Sequence, residues 1–244
     1  MIPALSVVVT FHAEELFAHA SLWSILQARQ AALHAGHAVE LVFVLDFAQA
    51  ATSRVVKNHP ALQGDERMLL TEHGDPGLAR NTGVEVASAP WVCTLDGDDL
   101  VSLNYFLQHI DAMQGAAPNL VLHPEWVICF GKERRCTQQI DQRSAEFSVD
   151  MLLQHNPWVS AVCARKDTFR SIPYRGCKPQ STGFGYEDWH WNCETLAAGC
   201  QHHTVGGAAY FYRLKEQGSV NAASNALEVI MPPSALFGRW EPTL

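Results

Sequence analysis

The segment Trp91-Val-Cys-Thr-Leu-Asp-Gly-Asp-Asp-Leu100 constrains the chain more than any other. Its apolar run, Trp91 to Leu95, reads as a buried strand that ends abruptly in three carboxylates, Asp96, Asp98 and Asp99, around a single Gly97. In an α/β sheet, the carboxyl ends of central strands are where ligands bind. Three adjacent carboxylates repel one another unless protons or a hard cation intervene. A divalent ion held by few protein oxygens also binds phosphate, so the cluster points to chemistry on a diphosphate. A charged turn after a strand uses the same residue types. An EF-hand loop fails, because its fifth, sixth and twelfth positions fall on Leu100, Val101 and Leu107.

The rest of the first hundred residues alternates strand and helix. Leu5 to Thr10 is a β-branched run, and Ala13 to Ala35 carries Leu22, Ile25, Leu26, Arg29 and Leu33 at helical spacing, with Gly36 as a stop. Val39 to Leu45 is a second strand ending in Asp46, Thr52 to His59 a short helix, and Arg67 to Thr71 a third strand. A small-residue helix, Gly77 to Ala89, leads into the carboxylate strand. This alternation predicts a mostly parallel sheet covered by helices. The second half predicts strands at Val121 to Phe130, Ala145 to Phe147, Pro157 to Ala164 and Ala208 to Leu214. Helices are expected at Val149 to His155 and Tyr186 to Ala198, and the tail from Asn221 has no strong pattern.

With 244 residues, 48% of them hydrophobic, the chain can bury the core of one large α/β domain. A net charge of −8 argues against a nucleic-acid partner, which needs a basic face. The start, Met1 to Val9, lacks a basic n-region, and no apolar run approaches the roughly 18 to 20 residues of a membrane span. The expectation is a cytoplasmic chain without a transmembrane segment, able to work at the membrane periphery. Seven cysteines, an odd number with no C-x-x-C pair, read as reduced thiols rather than a zinc site.

Two further constellations carry chemistry. In Gly183-Phe-Gly-Tyr-Glu-Asp-Trp-His-Trp191, Glu187 and Asp188 fall in the first turn of a helix. Carboxylates there complement the helix dipole, or one of them serves as a general base behind a Gly-rich loop. Trp189, Cys193, Leu196 and Ala197 share one face that reads as inward; Trp191 and Glu194 lie elsewhere. In Gly77-Leu-Ala-Arg-Asn-Thr-Gly83, Arg80 is either a surface charge or a phosphate or base contact. His202 and His203 read as solvated loop residues more readily than as metal ligands.

Together these segments resemble glycosyltransferase family 2, with its GT-A fold. Ala79-Arg80-Asn81-Thr82-Gly83 and Leu95 to Asp99 match the family's Ala-Arg-Asn-x-Gly and Leu-Asp-x-Asp-Asp in full. Glu187-Asp188-Trp189 matches its Glu-Asp pair, and Tyr212-Arg213 its late Tyr-Arg. The departures are Val9 for the Pro before Thr10, Asp46-Phe-Ala-Gln49 for Asp-Asp-Gly-Ser, and Lys215 for the His two positions after Arg213. The last removes a ligand or phosphate contact that Lys215 or Arg213 stands to replace. The matches run in order from about residue 5 to 219.

The resemblance implies a single GT-A-type α/β domain over 1–219, followed by a tail over 220–244. Within it, a mostly parallel, Rossmann-like nucleotide-binding half (about 1–100) is fused to a mixed acceptor-binding half (100–219). It implies an inverting transfer of sugar from a nucleotide-sugar, UDP- or GDP-linked, to a saccharide or lipid-linked acceptor, in polysaccharide or glycolipid synthesis. Asp98 and Asp99 would hold Mn²⁺ or Mg²⁺. Asp188 would be the base, and Thr10, Asp46, Arg80, Asp96, Glu187 and Arg213 would contact substrate. Trp126, Trp158, Trp189 and Trp191 are platforms for sugars. The alternatives are a haloacid-dehalogenase-type phosphohydrolase with Asp96 as nucleophile, and a non-catalytic nucleotide-sugar binder.

Overall fold

In a computed structural model, which describes residues 2–215 and 220–238, the first half runs β1 (Leu5–Phe11), α1 (Phe17–His34), β2 (Val39–Asp46), α2 (Ala50–Lys57), β3 (Arg67–Thr71), α3 (Pro76–Val86) and β4 (Trp91–Asp96). The second half adds β5 (Leu100–Val101), α4 (Tyr105–Met113), β6 (Leu120–Gly131), β7 (Arg135–Gln138), β8 (Val162–Arg165), α5 (Lys166–Ser171), α6 (Pro179–Thr182), α7 (Glu187–Ala197), β9 (Gln201–Leu214) and α8 (Val220–Ala226). One mixed sheet runs through both halves in the order β3-β2-β1-β4-β8-β6-β9-β5, with β7 paired to β6. The first four of these strands are parallel, and β8 enters antiparallel against β4. The α/β architecture is therefore the one the alternation predicts.

Strand alternation sorts the core into two layers. Val7, Val9, Phe43 and Leu45 point to the α1 and α4 side, among Leu22, Ile25 and Phe106. Val8, Val42, Val44 and Val92 point to the other face, among Val84, Phe169 and Trp191. All four parallel strands end at the same edge, so Thr10, Asp46 and Asp96 emerge together: Thr10 pairs in register with Asp96 and with Val44.

Several expectations are corrected. Ala145–Phe147 is a turn rather than a strand, because the partner of this part of β6 is β7, from the polar Arg135–Gln138. Only Val162–Arg165 of the 157–164 run is a strand. Strand β9 begins at Gln201, seven residues before Ala208. The reading stopped there because Gly206 and Gly207 break the pattern, and they form a bulge against Pro124 and Trp126 with Gly207 at φ +75°. His202 therefore lies in a strand, fully buried, bonded to His123 Nε2 at 2.9 Å and Thr195 Oγ1 at 3.0 Å. Far from being patternless, residues 220–238 dock on α7: Gly185 N donates to Ile230 O at 3.0 Å and Ala235 N to Glu194 Oε1 at 2.8 Å.

Helix α3 lies directly on the sheet because Gly83 has no side chain. A Cβ there would sit 2.3 Å from Val8 Cγ1 and 3.0 Å from Val44 Cγ2. Gly83→Ala gains up to about 1 kcal/mol of helix propensity, but overpacking two rigid β-branched residues costs about 1–3 kcal/mol. We expect net destabilisation, measured as a lower urea midpoint at unchanged m-value; an unchanged or higher midpoint contradicts this packing.

Candidate active site

A cleft of about 790 Å³ opens along the carboxyl edge of the parallel strands. That is within the roughly 300–1,000 Å³ usual for small-ligand sites. Thr10, Asp46, Asp75, Arg80, Asp96, Asp98 and Asp99 line one side, and Asn156, Trp158, Glu187, Asp188 and Trp189 another. Arg213 and Lys215, at the end of β9 and just beyond it, complete the wall.

Arg80 sits at the centre, 2% exposed. Its Nη1 donates to Glu187 Oε1 and its Nη2 to Asp96 Oδ1, each at 2.7 Å. The guanidinium also lies 5.4 Å from the centre of the Tyr174 ring. Asp96 further accepts from Ser160 Oγ at 2.8 Å and Thr10 Oγ1 at 3.4 Å. Burial pushes the Asp96 carboxyl up, but Arg80 and Ser160 more than reverse this and leave it below its ordinary value. An aspartate this engaged is poorly placed as the free nucleophile that a phosphohydrolase needs. Glu187 is pushed up to about 7, chiefly by burial, with Arg80 opposing and Asp188 adding repulsion.

The Glu187 end of this bridge is aimed by unusual backbone. Tyr186, immediately before Glu187, is left-handed at φ +58°, a conformation held where the surroundings over-determine it. Its hydroxyl donates to Asn225 Oδ1 on α8. Asp188 lines the cleft and accepts from Asn156 Nδ2 at 3.2 Å, while Asn156 Oδ1 accepts from Asn192 Nδ2 at 3.0 Å. Burial, with repulsion from Asp96, raises the Asp188 carboxyl although Arg80 opposes it.

Asp98 and Asp99 part company. Asp99 is 2% exposed; its Oδ1 accepts from Arg213 N at 2.6 Å and its Oδ2 from the Tyr210 hydroxyl at 2.7 Å. Burial, then repulsion from Asp98 and Asp96, lifts its carboxyl well above the ordinary value. Asp98 Oδ2 is 2.7 Å from Lys215 Nζ. Burial raises Asp98 too, against the opposing pull of Lys215, and the ion pair keeps the Lys215 ammonium above its usual value despite burial. Arg213 Nε donates to the Asp98 carbonyl at 2.9 Å, its guanidinium 4.2 Å from the Phe17 ring centre and 4.5 Å from that of Phe130.

Asp46 lines the cleft but mainly builds it. Its carboxylate accepts from Thr71 Oγ1, His73 N and Asp75 N at 2.9, 2.7 and 3.1 Å, folding the chain from β3 into α3. The sequence reading missed Asp75, Asn156 and Ser160. Asp75 was legible: Asp before Pro at a helix start is a capping signal, and its Oδ1 accepts from Leu78 N at 2.9 Å. Of the tryptophans, Trp158 and Trp189 line the cleft. Trp191, 1% exposed, stacks on Phe169 and Tyr174 in the core, and Trp126 lies outside the cleft on β6.

Removing Arg80 leaves the buried Glu187 and the part-buried Asp96 without their cation, and breaking a buried pair typically costs about 3–5 kcal/mol. Their folded-state pKa values then rise, so the stability they contribute is present at low pH and is lost as pH climbs through those values. Arg80→Ala should therefore lie closer to the parent in denaturant unfolding near about pH 5 than near about pH 8. An equal deficit at both contradicts the bridge.

A family model described as Glycosyl transferase family 2 matches residues 6–167, more than half of the chain. Among solved structures, the 1–349 portion of S. aureus TarS in complex with UDP matches with a TM-score of 0.63 at 17% identity, over 86% of this chain and 60% of that one. Its complex with UDP-GlcNAc gives 0.65 at 16% identity, over 89% and 60%. A further TarS structure gives 0.61 at 16%, over 86% of this chain but 36% of that one. At these identities the likeness is one of fold, and this chain spans less than two thirds of each TarS chain. No curated protein matches the sequence. The ordered motifs, the cleft they line and the matched family model lead to one conclusion: the chain belongs to glycosyl transferase family 2.

Proposed function

We propose that the chain transfers a sugar from a nucleoside diphosphate donor to an acceptor hydroxyl with inversion at the anomeric carbon. The observation that carries this reading is the shared cleft. The strand-end residues Thr10, Asp46, Arg80 and Asp96 open into the same space as Asp188 at the start of α7. The donor would lie along the strand edge, and the acceptor would approach from the side of Trp158 and Trp189. That TarS was solved with UDP and with UDP-GlcNAc favours a UDP-linked donor over a GDP-linked one.

In this scheme the acceptor oxygen bonds to the anomeric carbon as the bond to the diphosphate breaks. Asp188 takes the hydroxyl proton. Glu187 is less suited, because it is 7% exposed and tied to Arg80. Arg80 acts by fixing Asp96 and Glu187, with Thr10 and Asp96 toward the ribose and Arg213 toward the phosphates. The acceptor is a saccharide or lipid-linked hydroxyl, as in polysaccharide or glycolipid synthesis. Among the described residues no helix is long and apolar enough to cross a membrane. The catalytic unit spans residues 1–219, and Asn225 and Ile230 from the following segment add to the acceptor wall.

The Mn²⁺ or Mg²⁺ that the resemblance implies on Asp98 and Asp99 meets a donor set that does not fit it. Asp99 has both oxygens in protein hydrogen bonds and Asp98 faces an ammonium. Among the described residues no three His, Cys, Asp or Glu side chains form a metal-holding group.

Asp188→Asn should retain nucleotide binding yet lose transfer by about two to four orders of magnitude, the span of a general base; Glu187→Gln should lose less. Near-parental transfer by Asp188→Asn refutes this role. Thermal denaturation with a nucleoside diphosphate panel tests the donor class. UDP is expected to stabilise most; hydrolysis of simple phosphate esters without any nucleotide response supports a phosphohydrolase instead.

A further inference from the structure

We infer that the Lys215 ammonium, backed by Arg213, takes the place of a divalent cation and seats the donor diphosphate directly, an inference that rests on the nucleotide-sugar reading above. The strand-end carboxylates need a cation. Asp96 has Arg80. Asp99 is met by Tyr210 and the backbone of Arg213. Asp98, 8% exposed, has Lys215 Nζ at 2.7 Å. Glu14, itself buried, lines the same cleft.

A divalent ion at Asp98 would have to displace an ammonium already at ion-pair distance and find its other ligands elsewhere. Lys215 needs no such rearrangement to bind phosphate. It presents three N–H donors on a flexible stem, one of which suffices for Asp98, and it lines the cleft. Beside it, Arg213 is clamped between the Phe17 and Phe130 rings. Two cations thus face the cleft next to the cluster. As the bond from the anomeric carbon to the β-phosphate oxygen breaks, its electron pair stays on the diphosphate, and Lys215 and Arg213 meet the charge that develops. The acceptor proton passes to Asp188, so the step balances without a metal.

Calorimetric titration of UDP and GDP into the full chain, in EDTA and in Mn²⁺, tests this. The parent should bind its preferred nucleotide with the same affinity in both conditions. Lys215→Ala should weaken binding by about 10- to 100-fold in both, the worth of one hydrogen bond to a charged group. Lys215→Met, which keeps an unbranched chain of similar length, should do the same at parental melting temperature. Binding by the parent that requires Mn²⁺ and vanishes in EDTA overturns the inference while leaving the transferase reading intact. So does parental affinity in Lys215→Met. Failure of the parent to bind any nucleoside diphosphate in either condition overturns the nucleotide-sugar reading and the inference with it.

Discussion

The contacts of Arg80 with Asp96 and Glu187 join the two halves of this molecule. One carboxylate ends the central parallel strand, the other opens α7, and they lie far apart in sequence. A guanidinium meets both because it is planar and presents several donors at fixed angles; a lysine could not hold two carboxylates in that geometry. The guanidinium itself is buried, and its Glu187 partner with it, while Asp96 stays partly open to the cleft. Its Nε is buried without a partner, which shows how far the position is set by the two carboxylates. The cleft has its shape because these walls are pulled to one cation.

Charge balance organises the rest of the cleft. Asp46, Asp75, Asp96, Asp98, Asp99, Glu187 and Asp188 all line it, in a chain of net charge −8. Each environment sets a different state. Arg80 holds the Asp96 carboxyl below its ordinary value, burial and repulsion lift Asp99 well above it, and burial pushes Glu187 up to about 7. Separation of neighbouring carboxyl groups by environment is how one site holds both fixed charges and proton acceptors.

The parallel half was legible because its signals are local. β-branched runs, a Gly stop at Gly36 and a small-residue helix each speak for themselves within about ten residues, and the motif segments sit at their junctions. The second half was harder because its elements are defined by partners. Helix α4 is hard to read from sequence although Tyr105, Phe106, Ile110 and Met113 are spaced helically, since buried His109 interrupts the apolar stripe. On α7 the reading chose a single inward face, but the helix is buried on two: Trp191 joins the sheet-side core, while Cys193, Trp189 and Leu196 pack with Met231 and Leu236. A helix covered on both sides has no single apolar stripe to find. The fates of Asp98 and Asp99, adjacent and alike in sequence, were set by β9, whose contacts with them no local pattern encodes.

An anionic donor entering this cleft must work against its carboxylates. Arg80 cannot be recruited, because both its carboxylates depend on it. Lys215 and Arg213 are different. Each has donors beyond those spent on Asp98, and each stands where the chain leaves the last strand of the sheet. A phosphate that binds them offsets their charge at the same place where Asp98 does, so Asp98 and the phosphate share the cations rather than exchange them. Desolvation strengthens both attractions as the cleft fills. In this scheme the acidic cluster serves anion binding indirectly: through Asp98 it orients both cations in the cleft wall.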